Sequence, residues 1–225
     1  MKMEISQDVL KNHKGIFMTM GCLYGVDNTI DVQTDKIRAF MSEVFSKVRE
    51  RYAAENTHTV GRIQTYRTFY WNSGLDPTKM RPANEALLRR VISGEGLPQI
   101  NAVVDLYNIA SVSTLLPMCA YDLEKIQGKT LFIDFAHEGE EFAGIGMESP
   151  MILSGKEIVV RDRNGPISLY PYRDAEMTKV SEETTDVLFT IDGVPGVTPL
   201  ELLWALKTCL QYVSRFVGGS AEVIL

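Results

Sequence analysis

Apolar residues along this chain follow a helical rhythm in the first half and a strand rhythm in the second, with the change near Gly128. From Thr34 onward Ile37, Phe40, Met41, Val44, Phe45, Val48 and Tyr52 recur at three- and four-residue spacing. That spacing predicts a helix of about four or five turns with one apolar stripe and a solvated opposite face. Residues 57–72 predict a second helix, carrying Ile63, Tyr66 and Tyr70 and ending at the turn signal NSGLDP. A third begins near Pro82, a residue suited to a first helical turn, and stops at Gly94. The segment from Leu97 to Gly128 reads as the fourth. Its apolar residues would bury it, yet Asn101, Asp105, Asn108, Ser111, Ser113 and Thr114 run through it. A buried polar group without a partner is costly, so this helix is expected to furnish a site.

Beyond Gly128 come short β-prone runs, LFIDF, EFAGIG, EIVVRD, ISLYPY and DVLFTI, and this half is expected to be mostly sheet. Asn164-Gly165 lies between two of them and predicts an antiparallel hairpin, because both residues accept positive φ. Thr198-Pro199-Leu200-Glu201 is a capping box that starts a helix to about Phe216, before Gly218-Gly219 and a closing strand AEVIL. At the other end, MKMEIS and GIFMTMGCLY predict two strands that pair or lie close, in a sheet the last strand can share. With no linker, repeat or low-complexity tract, residues 1–225 read as one composite domain with a helix-rich part at about 30–126 and a sheet-rich part at about 129–225.

Composition narrows the class. No apolar run approaches the roughly 20 residues a bilayer span needs, and the N-terminus lacks a secretory h-region, so a cytoplasmic protein without a membrane partner is expected. Cys22, Cys119 and Cys209 are too widely spaced for a CxxC motif and read as reduced thiols. A net charge of −6 argues against binding nucleic acid with the whole surface. Between Val60 and Ser93, however, Arg62, Arg67, Lys79, Arg81, Arg89 and Arg90 face only Asp76 and Glu85, a local excess of four positive charges.

Chemical motifs are sparse. There is no Gly-rich phosphate loop, no HExxH and no GxSxG, and neither a metal nor a cofactor is expected. His13, His58 and His137 stand alone and receive no catalytic role. Cys119 reads as a small buried thiol, or as a thiolate if a cation or helix end activates it. The run YRTFYW suits either stacking on a nucleic-acid end or simple core packing of Phe69, Tyr70 and Trp71. Tyr172-Arg173-Asp174, followed by Thr178, places charge inside β-prone sequence and calls for a ligand or for an ion pair of Arg173 with Asp174 or Asp105.

INAVVDLYN, LPMCAYDLEKIQG, HEGEEF and PISLYPYRDAEMTKVSEETTDVLF occur in that order over about residues 82–193. This series resembles the B3/B4 domain of the phenylalanyl-tRNA synthetase β subunit, and FYWNSGLDPTKMRPANEALLRR and YPYRD are similar to its freestanding B3/4 branch. The resemblance implies an α+β, three-layer sandwich of antiparallel or mixed sheets with helices, and a pocket that accepts the aminoacylated tRNA end. In the synthetase that pocket hydrolyses wrongly attached tyrosine. The implied partner is therefore the acceptor end of tRNA, not DNA.

Residue by residue, the resemblance puts Asn108 at the family's asparagine near the ester and Asp105 at the aspartate opening that motif. Pro117 and Ala120 keep the frame of the next segment. Tyr107 replaces a threonine, Cys119 a histidine, and residues 172–175 a glycine pair, while Thr190 falls near the glutamate that reads tyrosine's hydroxyl. The implied catalytic residues are Asn108, Arg173 and Asp174. Substrate-binding roles fall to Asn101, Asp105, Tyr107, Cys119, Tyr172, Thr178 and Thr190, and tRNA-binding roles to Arg67, Lys79 and Arg81. The expected activity is trans-editing deacylation by a positioned water. Two alternatives remain: a non-catalytic module binding a tRNA end, an amino acid or a protein, and a hydrolase of another small acyl ester or amide.

Overall fold

A computed structural model describes residues 1–224; Leu225, the last residue of the expected closing strand, lies outside the described residues. In chain order the elements are β1 (Lys2–Ile5), α1 (Gln7–Asn12), β2 (Phe17–Tyr24), α2 (Asp35–Tyr52), α3 (Gly61–Asn72), α4 (Ala83–Ser93), α5 (Ala102–Thr114), β3 (Met118–Asp122) and β4 (Thr130–Phe135). There follow β5 (Glu141–Phe142), β6 (Met151–Ile152), β7 (Ile158–Arg161), β8 (Pro166–Leu169), β9 (Arg173–Asp174), β10 (Asp186–Gly193), α6 (Pro199–Val217) and β11 (Ser220–Ile224).

Two sheets carry the α+β architecture. One has the order β11-β2-β10-β3, the other β1-β4-β7-β8-β9. The first is antiparallel throughout, with Phe189 opposite both Gly21 and Ala120. Side chains alternate across a strand, so the two faces of β10 have different neighbours. Phe189 meets Tyr107 of α5, and a Cβ on the opposed Gly21 would come within 3.1 Å of Leu210 of α6. That face is covered by helices. The alternate positions Thr190 and Asp192 look the other way, toward the five-stranded sheet, where Tyr170 donates to the Gly193 carbonyl at 2.6 Å and Tyr121 reaches Asp174. Helix, sheet and sheet thus form three layers, and one apolar cluster joins all of them.

Most elements follow from the residues already noted. Helix α2 buries Ile37, Phe40, Val44, Phe45 and Val48, and α4 ends on Gly94 at φ 83°. The Thr198 capping box forms as expected, with Pro199 opening α6. Asn164-Gly165 joins antiparallel β7 and β8, and Asp162 Oδ1 accepts from both turn amides, at 2.7 and 3.2 Å.

Three expectations need correction. The first two strands do not pair: β1 runs parallel to β4, while β2 lies between β11 and β10 in the other sheet. The helix α1 separates them, capped by Ser6, whose hydroxyl accepts from Val9 N. The stretch from Leu97 to Gly128 is not one helix. Leu115 turns left-handed at φ 58° and ends α5, Pro117 cannot continue a helix, and Met118–Asp122 pairs with β10 as an edge strand. In EFAGIG only Glu141 and Phe142 are strand, pairing with β6.

Candidate active site

Where the edge strand β3 leaves α5, a pocket of about 240 Å³ opens between α4, α5, β3 and the segment leading into β9. Its walls include Ala86 and Leu87 from α4, Tyr107, Asn108 and Ser111 from α5, and Cys119 with Asp174 below. The polar residues of α5 now separate into two sets. Ser111 donates to Leu116 O at 2.7 Å and Thr114 to Ala110 O at 2.9 Å, so both serve the helix end. Asn108 differs: it is 9% exposed, and its side-chain amide has no hydrogen-bond partner among the described residues. An unspent amide facing a cavity is available to a ligand.

Arg173 and Asp174 reach the same pocket from β9. The guanidinium is held in place. It donates to Ile145 O at 3.1 Å and to the Tyr172 hydroxyl at 3.3 Å, and it lies 5.2 Å from the Tyr172 ring centroid. Gly144 makes room for it, since a Cβ there would stand 2.5 Å from Arg173 Cδ. Arg173 forms no ion pair with Asp174 or Asp105 among the described residues.

Behind Asp174 lies a second carboxyl. Cys119 Sγ donates to Asp192 Oδ2 at 3.7 Å, Thr190 donates to Asp192 Oδ1 at 3.4 Å, and Tyr121 donates to Asp174 Oδ1 at 3.1 Å. Asp192 is fully buried, and Asp174 is half-buried at the edge of the pocket. Burial raises Asp174 to about 6, and burial followed by the nearby Asp174 charge raises Asp192 to about 7. The same burial, then Asp174 and Asp192, pushes the Cys119 thiol well above its usual range, so it stays protonated near neutrality. The pocket therefore presents a thiol and a carboxylate that is mostly ionised near neutrality, with a fully buried acid that ionises near neutrality behind them.

A family model described as the B3/4 domain matches residues 65–218. The chain belongs to the B3/4 domain family. The phenylalanine–tRNA ligase beta subunit of Bdellovibrio bacteriovorus is 33% identical over 103 residues, which is 45% of this chain and 12% of that subunit. The corresponding subunit of Corynebacterium diphtheriae is 32% identical over 147 residues, 65% and 17% of the two chains, and that of Streptococcus pneumoniae 26% over 196 residues, 87% and 24%. The match thus spans no more than 24% of the length of these three relatives. A solved N-terminal fragment of the phenylalanyl-tRNA synthetase beta subunit from Pyrococcus horikoshii covers 98% of this chain and 50% of its own, with a TM-score of 0.51. At 12% identity that likeness shows the fold, which agrees with the α+β expectation.

In this B3/4 chain the structure brings together Tyr107, Asn108, Cys119, Tyr172, Arg173 and Asp174 around one pocket. Thr190 stands behind it, opposite Cys119 in the sheet. Asn101 and Asp105 do not line it. Asn101 caps α5, accepting from Val104 N at 3.0 Å, and Asp105 accepts from Ile100 N at 2.9 Å beside separate clefts. Thr178 is fully buried, away from the pocket lining, and its hydroxyl has no partner among the described residues. Arg67 points inward to Glu85 at 2.8 Å, Lys79 is exposed, and Arg81 lies on a groove beside the pocket. Phe69 and Tyr70 are core, whereas Trp71 is exposed. Sequence reading passed over Asp192 and Glu85. Asp192 interrupts an apolar run, the one available sign that it needs a buried partner, whereas Glu85 stands in a polar stretch beside Asn84 and gives no such sign.

Proposed function

We propose that this B3/4 chain is a trans-acting aminoacyl-tRNA deacylase that hydrolyses the ester of a mischarged tRNA. The observation that carries the reading is the unspent Asn108 amide facing a pocket that also presents the Asp174 carboxylate. Hydrolysis needs a water oxygen to bond to the ester carbon, a donor for the charge that develops on the carbonyl oxygen, and a proton for the departing ribose oxygen. Asn108 offers the donor. Asp174 offers a carboxylate for the substrate's ammonium group, and a pocket of about 240 Å³ suits a small or medium amino acid. No protein nucleophile is required, which accords with a Cys119 thiol held protonated.

The test is a panel of mischarged tRNAs incubated with folded protein. Asn108→Ala is expected to lower kcat/KM by about 10²-fold, as for loss of one oxyanion donor, with an unchanged melting transition. Wild-type protein that leaves every mischarged tRNA as stable as buffer does would refute the proposal. One observation favours a second reading, a binding module without catalysis: Arg173 is anchored by one donor each to Ile145 O and the Tyr172 hydroxyl, which holds its guanidinium at the pocket wall as a fixed cation suited to binding. Salt-sensitive tRNA binding without deacylation would support that alternative.

A further inference from the structure

Among the described residues that line the pocket, Asp174 is the only carboxylate. Other acids near it are engaged elsewhere. Glu85 stands on α4, which gives Ala83, Ala86 and Leu87 to the lining, but it is fully buried and holds three arginines. They are Arg67 at 2.8 Å through Nη1, Arg89 at 3.0 Å through Nε and Arg81 at 3.8 Å through Nε. Asp192 is fully buried, with Thr190 on one oxygen and Cys119 on the other. A cationic group that enters the pocket therefore meets Asp174.

What holds Asp174 is not its own strand. The strand β9 has two residues and pairs on one side only, at the edge of the five-stranded sheet, with Asp174 opposite Ser168. The hold comes from the other sheet. Tyr121, fully buried on β3 and opposite Leu188 of β10, donates its hydroxyl to Asp174 Oδ1 at 3.1 Å. A carboxylate accepts several hydrogen bonds, so one at Oδ1 fixes the group without filling it. The charged and titratable groups around it are Arg173 and Tyr172 on its own segment, Tyr121 and Cys119 on β3, Asp192 on β10 and Tyr107 on α5. Burial pushes Tyr107, Tyr121 and Cys119 well above their usual ranges, so all three stay protonated and Tyr121 remains a donor. Arg173 bonds Ile145 O and the Tyr172 hydroxyl and forms no ion pair with Asp174 among the described residues, which keeps the carboxylate for a ligand.

The geometry points to Tyr121 as a positioning residue that aims the Asp174 carboxylate at the α-ammonium group of the bound acyl part, so that the pocket takes α-amino acyl groups and rejects α-hydroxy and N-acylated ones. Which ester carries that group rests on the deacylase reading; the ammonium subsite is tested without it. A hydroxyl in place of the ammonium still donates a hydrogen bond but brings no charge, and charge-assisted bonds are the stronger kind. Without the Tyr121 hydroxyl, Asp174 loses a donor that favours its charged form, and a larger share of it is protonated at neutral pH.

The test is a carbon-13 NMR pH titration of the Asp174 carboxyl, assigned by its loss in Asp174→Asn. Its midpoint of about 6 should rise by about one to two pH units in Tyr121→Phe. Tyr70→Phe removes a buried hydroxyl that donates to Pro171 O at 3.2 Å on the same segment, and should leave the midpoint in place. Binding is read on the same signal at pH 7 with methylamides of small and medium L-amino acids and with their α-hydroxy isosteres. The amino forms should bind about tenfold more tightly, and that advantage should fall by about half or more in Tyr121→Phe. An unchanged midpoint in folded Tyr121→Phe, or an equal rise in Tyr70→Phe, would overturn the role of Tyr121. Equal affinity for the two ligand series, or binding of neither, would overturn the subsite. Because nothing is cleaved, these results stand apart from deacylation: a protein that prefers the amino ligands but deacylates no mischarged tRNA refutes the deacylase and keeps the subsite, and one that deacylates without that preference does the reverse.

Discussion

The buried acid Asp192 gives the most quantitative handle on the site. Its carboxyl rises from 3.8 to about 7 in the folded chain, so the folded state holds a proton that the unfolded chain has already released. Between those values the native state binds more protons than the unfolded one, and stability falls as pH rises. Asp192→Asn keeps the shape and one acceptor oxygen, turns the other position into an amide donor that the Thr190 hydroxyl or the Cys119 thiol can rotate to accept, and removes the titration. For a single site with these two values, the ionisation cost of Asp192 is about 2 kcal/mol at pH 5 and about 4 kcal/mol at pH 8. Urea unfolding of both proteins at several pH values is the assay. The variant is expected to gain about 2–3 kcal/mol on wild type between pH 5 and pH 8. Asp105 and the exposed acids are common to both proteins and drop out of the difference, whereas Asp174, whose charge helps to raise Asp192, is coupled to it and contributes to that difference. Parallel stability profiles would show that Asp192 does not retain its proton, and the account of the pocket floor would fail with it.

Two further expectations concern Cys119 and Glu85. Cys119→Ala should keep deacylation within about threefold of wild type, and Ellman's reagent should label none of the three buried cysteines of the native protein within minutes; a large loss of rate would reinstate the thiol as a participant. Glu85→Ala strands the largely buried Arg67 and should destabilise the fold by about 3–5 kcal/mol. At this chain length that lowers Tm by roughly 6–20 °C in a thermal melt, and a shift below about 3 °C would mean that the arginines do not depend on it.

What the sequence displays and what it conceals divide along physical lines. Helices α2, α4 and α6 are amphipathic and end on caps, so spacing and cap chemistry reveal them. Strand β3 has five buried residues in succession, which erases the alternation that marks a strand and leaves a run that passes for the end of a helix. Asn108 stood out because a polar residue in an apolar helix needs a reason. Asn101 stood out on the same ground, yet its reason is local, an N-cap that its place before an apolar run would also predict. Asp192 interrupts an apolar run, which signals that it needs a partner without naming one, since its thiol partner lies 73 positions away. Arg67 counted as part of a basic surface because sequence cannot show that Glu85, 18 residues later, draws it inside.

The three-armed attachment of Glu85 bears on how this chain can change over generations. A buried carboxylate with one partner makes that partner irreplaceable, because losing it leaves an isolated charge in the interior. Here the innermost arm, Arg67, satisfies the carboxylate from the protein side, while Arg81 and Arg89 share its other oxygen from the groove side. Either outer arginine can therefore be exchanged without stranding the acid. Drift in the charge of the rim is decoupled from the risk of unfolding, and the surface beside the pocket can be retuned to new partners one residue at a time while the scaffold beneath it stays in place.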